Sequence, residues 1–108
     1  MIMNFIFDLD DTLIPNHHLY SQAQIKLWKL TRERLGHRAP DLQQLIQIEV
    51  AIDKSLVPSM GFSKERFPTS FRMAYEEVTS ALNVQDDEGA QMAYQTGVWI
   101  FEPAHILE

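Results

Sequence analysis

Three carboxylates crowd the start of this chain, in the run Phe5-Ile6-Phe7-Asp8-Leu9-Asp10-Asp11-Thr12-Leu13. Asp8 and Asp10 are spaced two apart at the end of an apolar segment, Ile2 to Phe7, broken only by Asn4. Alternate residues of an extended chain share a face, so both acids can approach one site. Clustered carboxylates repel one another and ask for a cation, and hard oxygen ligands favour Mg²⁺. The expected chemistry at this turn is therefore carboxylate and metal chemistry.

The same residues resemble the first motif of the haloacid dehalogenase-like superfamily of phosphotransferases. That motif is an apolar strand followed by Asp-x-Asp-x-Thr-Leu/Val, and Asp8-Leu9-Asp10-Asp11-Thr12-Leu13 matches every defined position. The resemblance implies an α/β fold with a Rossmann-like core and a helical cap over the site. It implies a Mg²⁺-dependent phosphatase that hydrolyses a small phosphorylated metabolite through an aspartyl-phosphate. Asp8 would be the nucleophile, and Asp10 the general acid for the leaving oxygen and then the general base for water. Mg²⁺ would be held by the Asp8 carboxylate and the backbone carbonyl of Asp10. Thr12 would order the turn, and Asp11 would be structural or electrostatic. An acid at the position of Asp10 is typical of the family's phosphatases and phosphomutases.

The family also needs a Ser/Thr at the end of a second strand, a lysine that steadies the phosphoryl group, and a later acidic pair. Lys26, Lys29, Lys54 and Lys64 all fall in expected cap segments, so none is assigned as that lysine. The expectation is an N-terminal portion, inactive alone, whose remaining core comes from chain continuation or another chain. The alternative is a non-catalytic helical interaction module, or a pseudoenzyme, that retains the motif.

The elements that would position these residues follow from periodicity. Ile2 to Phe7 is short, apolar and bounded by an acidic turn, as expected of a strand buried on both faces. After Pro15-Asn16 a helix is predicted to about Leu35, with Leu19, Ala23, Leu27 and Leu30 on one stripe and Gly36 as its stop. A second helix is predicted from about Pro40, a first-turn proline, to Leu56, with Leu42, Leu45, Ile46, Ile48 and Ile52 as its apolar side; Pro58 to Gly61 then break the chain. A third runs from about Pro68 to Leu82, with Phe71, Ala74, Tyr75, Val78 and Leu82 inward and Asn83 at its end. A fourth follows Asp86-Asp87-Glu88, acids suited to a helix N-terminus, and is interrupted by Gly89 and Gly97 before Pro103. The chain itself is thus mostly α, one N-terminal strand and a four-helix cap. Residues 1–15 would be the first strand and catalytic loop, 16–101 the cap, and 102–108 a linker back to the core.

Composition narrows the function classes. With 45% hydrophobic and 22% charged residues, the 108-residue chain is ordinary globular material for one domain. It contains no cysteine, which excludes disulfides, thiolate metal sites and cysteine nucleophiles. A net charge of −6 argues against a nucleic-acid grip. No lysine or arginine follows Arg72, and the acids beyond it read as solvated helix faces. No basic residue precedes the first apolar run and no run is long enough for a membrane span, so a cytoplasmic protein without membrane attachment is expected. His17 and His18 read as inert residues at a helix start. Arg66, beside a helix start, is a candidate for gripping an anionic substrate group, against the simpler reading of a surface arginine. Trp28, Trp99, Phe71 and Tyr75 read as packing residues, and the methionines as core filling.

Overall fold

A computed structural model describes residues 17–61 and 63–99, with side chains from Leu19 onward. Four helices make up nearly all of it: α1 (His17–Leu35), α2 (Leu42–Met60), α3 (Arg66–Ala81) and α4 (Asp87–Val98), with a 3₁₀ turn at Gly36–Arg38. No strand occurs among the described residues. The expected α/β fold is therefore corrected to an all-helical domain. The physical reason lies in the packing: each helix buries its apolar stripe against neighbouring helices, and the core closes without a sheet. The segment expected to be a strand, Ile2 to Phe7, lies outside the described residues, as do Asp8, Asp10, Thr12 and the 102–108 linker.

Cross-helix contacts fix the topology. Tyr20 and Gln24 on α1 reach Glu49 on α2, while Trp28 donates to the Pro40 carbonyl at the α2 start. Arg66 at the head of α3 pairs with Asp53 near the tail of α2. Arg34 meets Asp86 before α4, and Lys26 lies 4.8 Å from the Trp99 ring just after it. Each helix therefore runs antiparallel to the one before, in an up-down-up-down bundle. The beginning of α1 and the end of α4 emerge at the same end of the bundle.

The helix ends show what periodicity alone misplaces. The second helix starts at Leu42 rather than Pro40, because Asp41 caps it: its side chain accepts from the Gln44 N–H at 2.8 Å, and Gln44 accepts back from the Asp41 N–H. The helix runs past its expected end near Leu56 and through Pro58 to Met60. Within the expected Pro58 to Gly61 break it is Gly61 that closes it, with a positive φ of 59° and an N–H bond to the Val57 carbonyl. The third helix begins two residues before Pro68, since a first-turn N–H has no intrahelical partner and proline loses nothing there. At its end Asn83 adopts φ 58°, and the Val84 and Asn83 N–H groups bond the Thr79 and Ser80 carbonyls.

The core is built mainly from α3, whose Phe67, Phe71, Ala74, Tyr75 and Val78 are buried, with Ala23, Leu27 and Leu30 of α1 and Ala90 and Ala93 of α4 against them. Gly89 and Gly97 do not interrupt α4. They lie within it and are buried, and a Cβ on Gly97 would come 2.6 Å from the Pro68 Cα. Gly97 is there because α4 approaches the α3 backbone too closely for a side chain, and at Gly89 the Asp86, Tyr75 and Arg34 side chains fill the space a Cβ would take. The second helix departs most from expectation. Only Leu45 and Glu49 are buried on it, while Ile46, Ile48 and Ile52 are half-buried and Val57 is exposed.

Candidate functional site

Glu49 is the unexpected residue of the interior. Its side chain is fully buried, held between three helices. Tyr20 Oη and Gln24 Nε2 of α1 each lie 2.9 Å from Oε1, and Ser70 Oγ of α3 lies 2.7 Å from Oε2. One turn along α2, Asp53 Oδ1 takes the Arg66 Nε at 2.8 Å, and Arg66 Nη1 donates to the Gly61 carbonyl at 2.5 Å. The result is a contiguous polar cluster at the end of the bundle from which α1 and α4 emerge. Burial pushes the Glu49 carboxyl above its usual range, against the three donors, which favour its ionised form. Burial, and then the neighbouring Glu49 charge, also raise Tyr20 above the ordinary phenol range.

A second polar group sits at the opposite end. Arg34 straddles Asp86, with Nε to Oδ2 at 2.6 Å and Nη2 to Oδ1 at 3.0 Å. The same carboxylate accepts from the buried Tyr75 hydroxyl at 2.6 Å and caps α4 through the Gly89 N–H at 3.1 Å. Arg34, then Tyr75, hold the Asp86 carboxyl well below the usual carboxylate range. Burial and the Asp86 carboxylate push Tyr75 up to about 12. Every member of this group has a structural partner, so it reads as a clamp joining α1, α3 and α4 rather than as a reaction site.

Arg66 is at the head of α3, but it is not the surface arginine that the sequence suggests. It is 6% exposed, and its charge is matched by Asp53. To grip a substrate anion it would have to exchange that partner. Trp28 and Trp99 are half-buried against the core, whereas Phe71 and Tyr75 are fully inside it. The acids beyond Arg72 divide: Glu76, Glu77, Asp87 and Glu88 are exposed, and Asp86 is the clamp. Asp8, Asp10 and Thr12 lie outside the described residues, as do the side chains of His17 and His18. Among the described residues no group of three or more His, Cys, Asp or Glu could hold a metal ion. Nor is any described helix long and apolar enough to cross a membrane.

Sequence reasoning missed the Glu49 cluster, although a signal was there. Glu49 stands four residues after Leu45 and three before Ile52, within the stripe assigned to the core. A carboxylate at such a position needs buried donors, and Tyr20 and Gln24, one helical turn apart, supply two of them.

A groove of about 840 Å³ runs between α2 and α3, walled by Ile48, Ala51, Ile52, Val78 and Leu82, with Pro40 at one end. It lies on the side of α2 that the bundle leaves half-covered. No family model matches the chain, and neither the curated proteins nor the solved structures include a significant match.

Proposed function

We propose that this chain supplies the reactive loop and lid of a Mg²⁺-dependent phosphatase acting on a small phosphorylated metabolite. The observation that carries the reading is Asp8-Leu9-Asp10-Asp11-Thr12-Leu13 directly ahead of a helical body. Support also comes from the bundle itself. Both of its ends open at one side, as a lid inserted beside a reaction site requires. The Tyr20 and Phe67 rings meet there at a tilt of 48°, centroids 4.9 Å apart, close to where Gly97 meets Pro68. A lid that closes excludes water and carries groups that select substrate.

In this reading the Asp8 carboxylate attacks phosphorus and expels the alcohol, which takes its proton from Asp10. Asp10, now ionised, draws a proton from the water that attacks the acyl phosphate and regenerates Asp8. Hard carboxylate and carbonyl oxygens suit Mg²⁺, with the Asp8 side chain and the Asp10 carbonyl as the proposed ligands. When bound, the ion neutralises charge on the transferring group. The test is hydrolysis of p-nitrophenyl phosphate by the natural full-length protein. Turnover that appears with Mg²⁺ and disappears with a chelator is expected; metal-indifferent turnover, or none with any small phosphate ester, counts against the reading.

One observation favours a second reading, a helical interaction module that retains the motif. The most apolar helix, α2, leaves an open groove against α3, and its stretch from Gln44 to Ser55 is long enough for about three turns of an apolar partner helix. Under that reading Ile48→Asp and Ile52→Asp would abolish partner capture while Asp8→Asn would leave it intact.

A further inference from the structure

We propose that Glu49 and Ser70 form a proton-responsive latch that seats α1 on α2 and α3. The geometry accommodates a neutral carboxyl without leaving any polar atom unpaired. Oε1 accepts from Tyr20 and Gln24, both at 2.9 Å. A proton on Oε2 can be donated to Ser70 Oγ, 2.7 Å away. Ser70 is free to accept it because its own hydroxyl hydrogen has a second acceptor, the Phe67 carbonyl at 2.8 Å. When Glu49 is ionised, the serine hydrogen turns from Phe67 to Oε2, and the carboxylate has three donors.

Among the described residues, no cation hydrogen-bonds the ionised carboxylate. Tyr20 and Gln24 from α1 and Ser70 from α3 are neutral. The nearby cation, Arg66, is engaged by Asp53 at 2.8 Å, and Asp53 is itself a like charge one turn from Glu49. A buried carboxylate satisfied by hydrogen bonds but not by charge carries a large desolvation penalty. Opening α1 relieves it by admitting water, and α1 is the helix that owns two of the three donors. The two carboxyl states therefore differ in how strongly they hold α1.

The sign follows from the raised carboxyl. The folded state binds the Glu49 proton more tightly than the unfolded chain does, so its contribution to stability is fully present below the unfolded value near 4.5. It is lost as pH rises through the folded value, and above that it stays constant. One linked proton changes an opening constant by at most about tenfold per pH unit within that window.

Amide exchange on the wild-type full chain tests the latch without any variant. After correction for base catalysis, protection of α1 amides between Ala23 and Thr31 is expected to fall by up to about tenfold per pH unit across the window. Amides in the middle of α3, around Ala74, should fall less. Both tryptophans report α1 seating by fluorescence, Trp28 through its bond to the Pro40 carbonyl and Trp99 through Lys26. In Glu49→Gln, a neutral side chain with a donor for Ser70, the α1-specific fall and the fluorescence change should vanish. Equal loss in α1 and α3, or the same pH dependence in Glu49→Gln, overturns the proposal.

Discussion

Asp8→Asn is expected to lower phosphate-ester turnover by about three orders of magnitude or more, while the unfolding midpoint of the helical domain stays unchanged. The amide cannot attack phosphorus or leave as a carboxylate, so the covalent route closes rather than slows. Asp10→Asn should act differently. Removing a general acid and base typically lowers a rate by about 10²–10⁴-fold. Its effect should depend on the leaving group: small for p-nitrophenol, which departs without a proton, and large for an alkyl phosphate. The measurement is kcat/KM for both ester types on both variants. A nucleophile role for Asp8 is contradicted if Asp8→Asn retains turnover within a few-fold of wild type.

The largest stability effect should come from Gly97→Ala. In an exposed helix this change is worth about 1 kcal/mol of stabilisation, because alanine restricts the unfolded chain and favours the helix. Here the added Cβ would lie 2.6 Å from the Pro68 Cα, 3.0 Å from its nitrogen and 3.2 Å from the Phe67 carbonyl oxygen. These are backbone atoms, so no side chain can swing away. The helices must separate, and Ala93 would be drawn off the face of α3 with them. Overpacking of this kind outweighs the propensity gain, for a net loss of about 2 kcal/mol. For a domain of this size that lowers Tm by about 8–16 °C, read from helical circular dichroism. Gly36→Ala is the contrast: nothing lies within 4 Å of its Cβ position, and only the positive φ of 64° opposes the change, at about 1 kcal/mol. A Tm for Gly97→Ala at or above wild type would show that α4 can shift on α3 without loss.

The helices were legible in the sequence where one apolar stripe faces one neighbour. Ala23, Leu27 and Leu30 on α1, and Phe71, Ala74, Tyr75 and Val78 on α3, are inward as their spacing indicates. The acids Asp86, Asp87 and Glu88 also announce the N-terminus of α4: Asp86 caps it and the other two lie in its first turn. Other features depend on residues distant in the chain, which spacing cannot reveal. Gly97 reads as a helix breaker until Pro68 is known to lie against it. Arg66 reads as exposed until α2 brings Asp53 to it from 13 residues away. Glu49 was hidden because periodicity counts aliphatic residues: Ile46, Ile48 and Ile52 drew attention to the flanks of α2, while the helix turned its carboxylate inward. The α/β expectation rested on the motif's family resemblance and on the apolar Ile2 to Phe7 segment, and the described residues close their core by helix packing instead.

Covalent trapping tests most directly whether Asp8 is the nucleophile that attacks phosphorus. The natural full-length protein would be mixed with Mg²⁺ and a rapidly reacting aryl phosphate, quenched in acid, and reduced with borohydride to convert an acyl phosphate to an alcohol. Peptide mass analysis then locates the modified side chain. Modification at Asp8, absent from Asp8→Asn and formed at the rate of the first turnover, is the predicted result. Turnover without modification at Asp8, or modification at another carboxylate, would contradict a nucleophile role for Asp8.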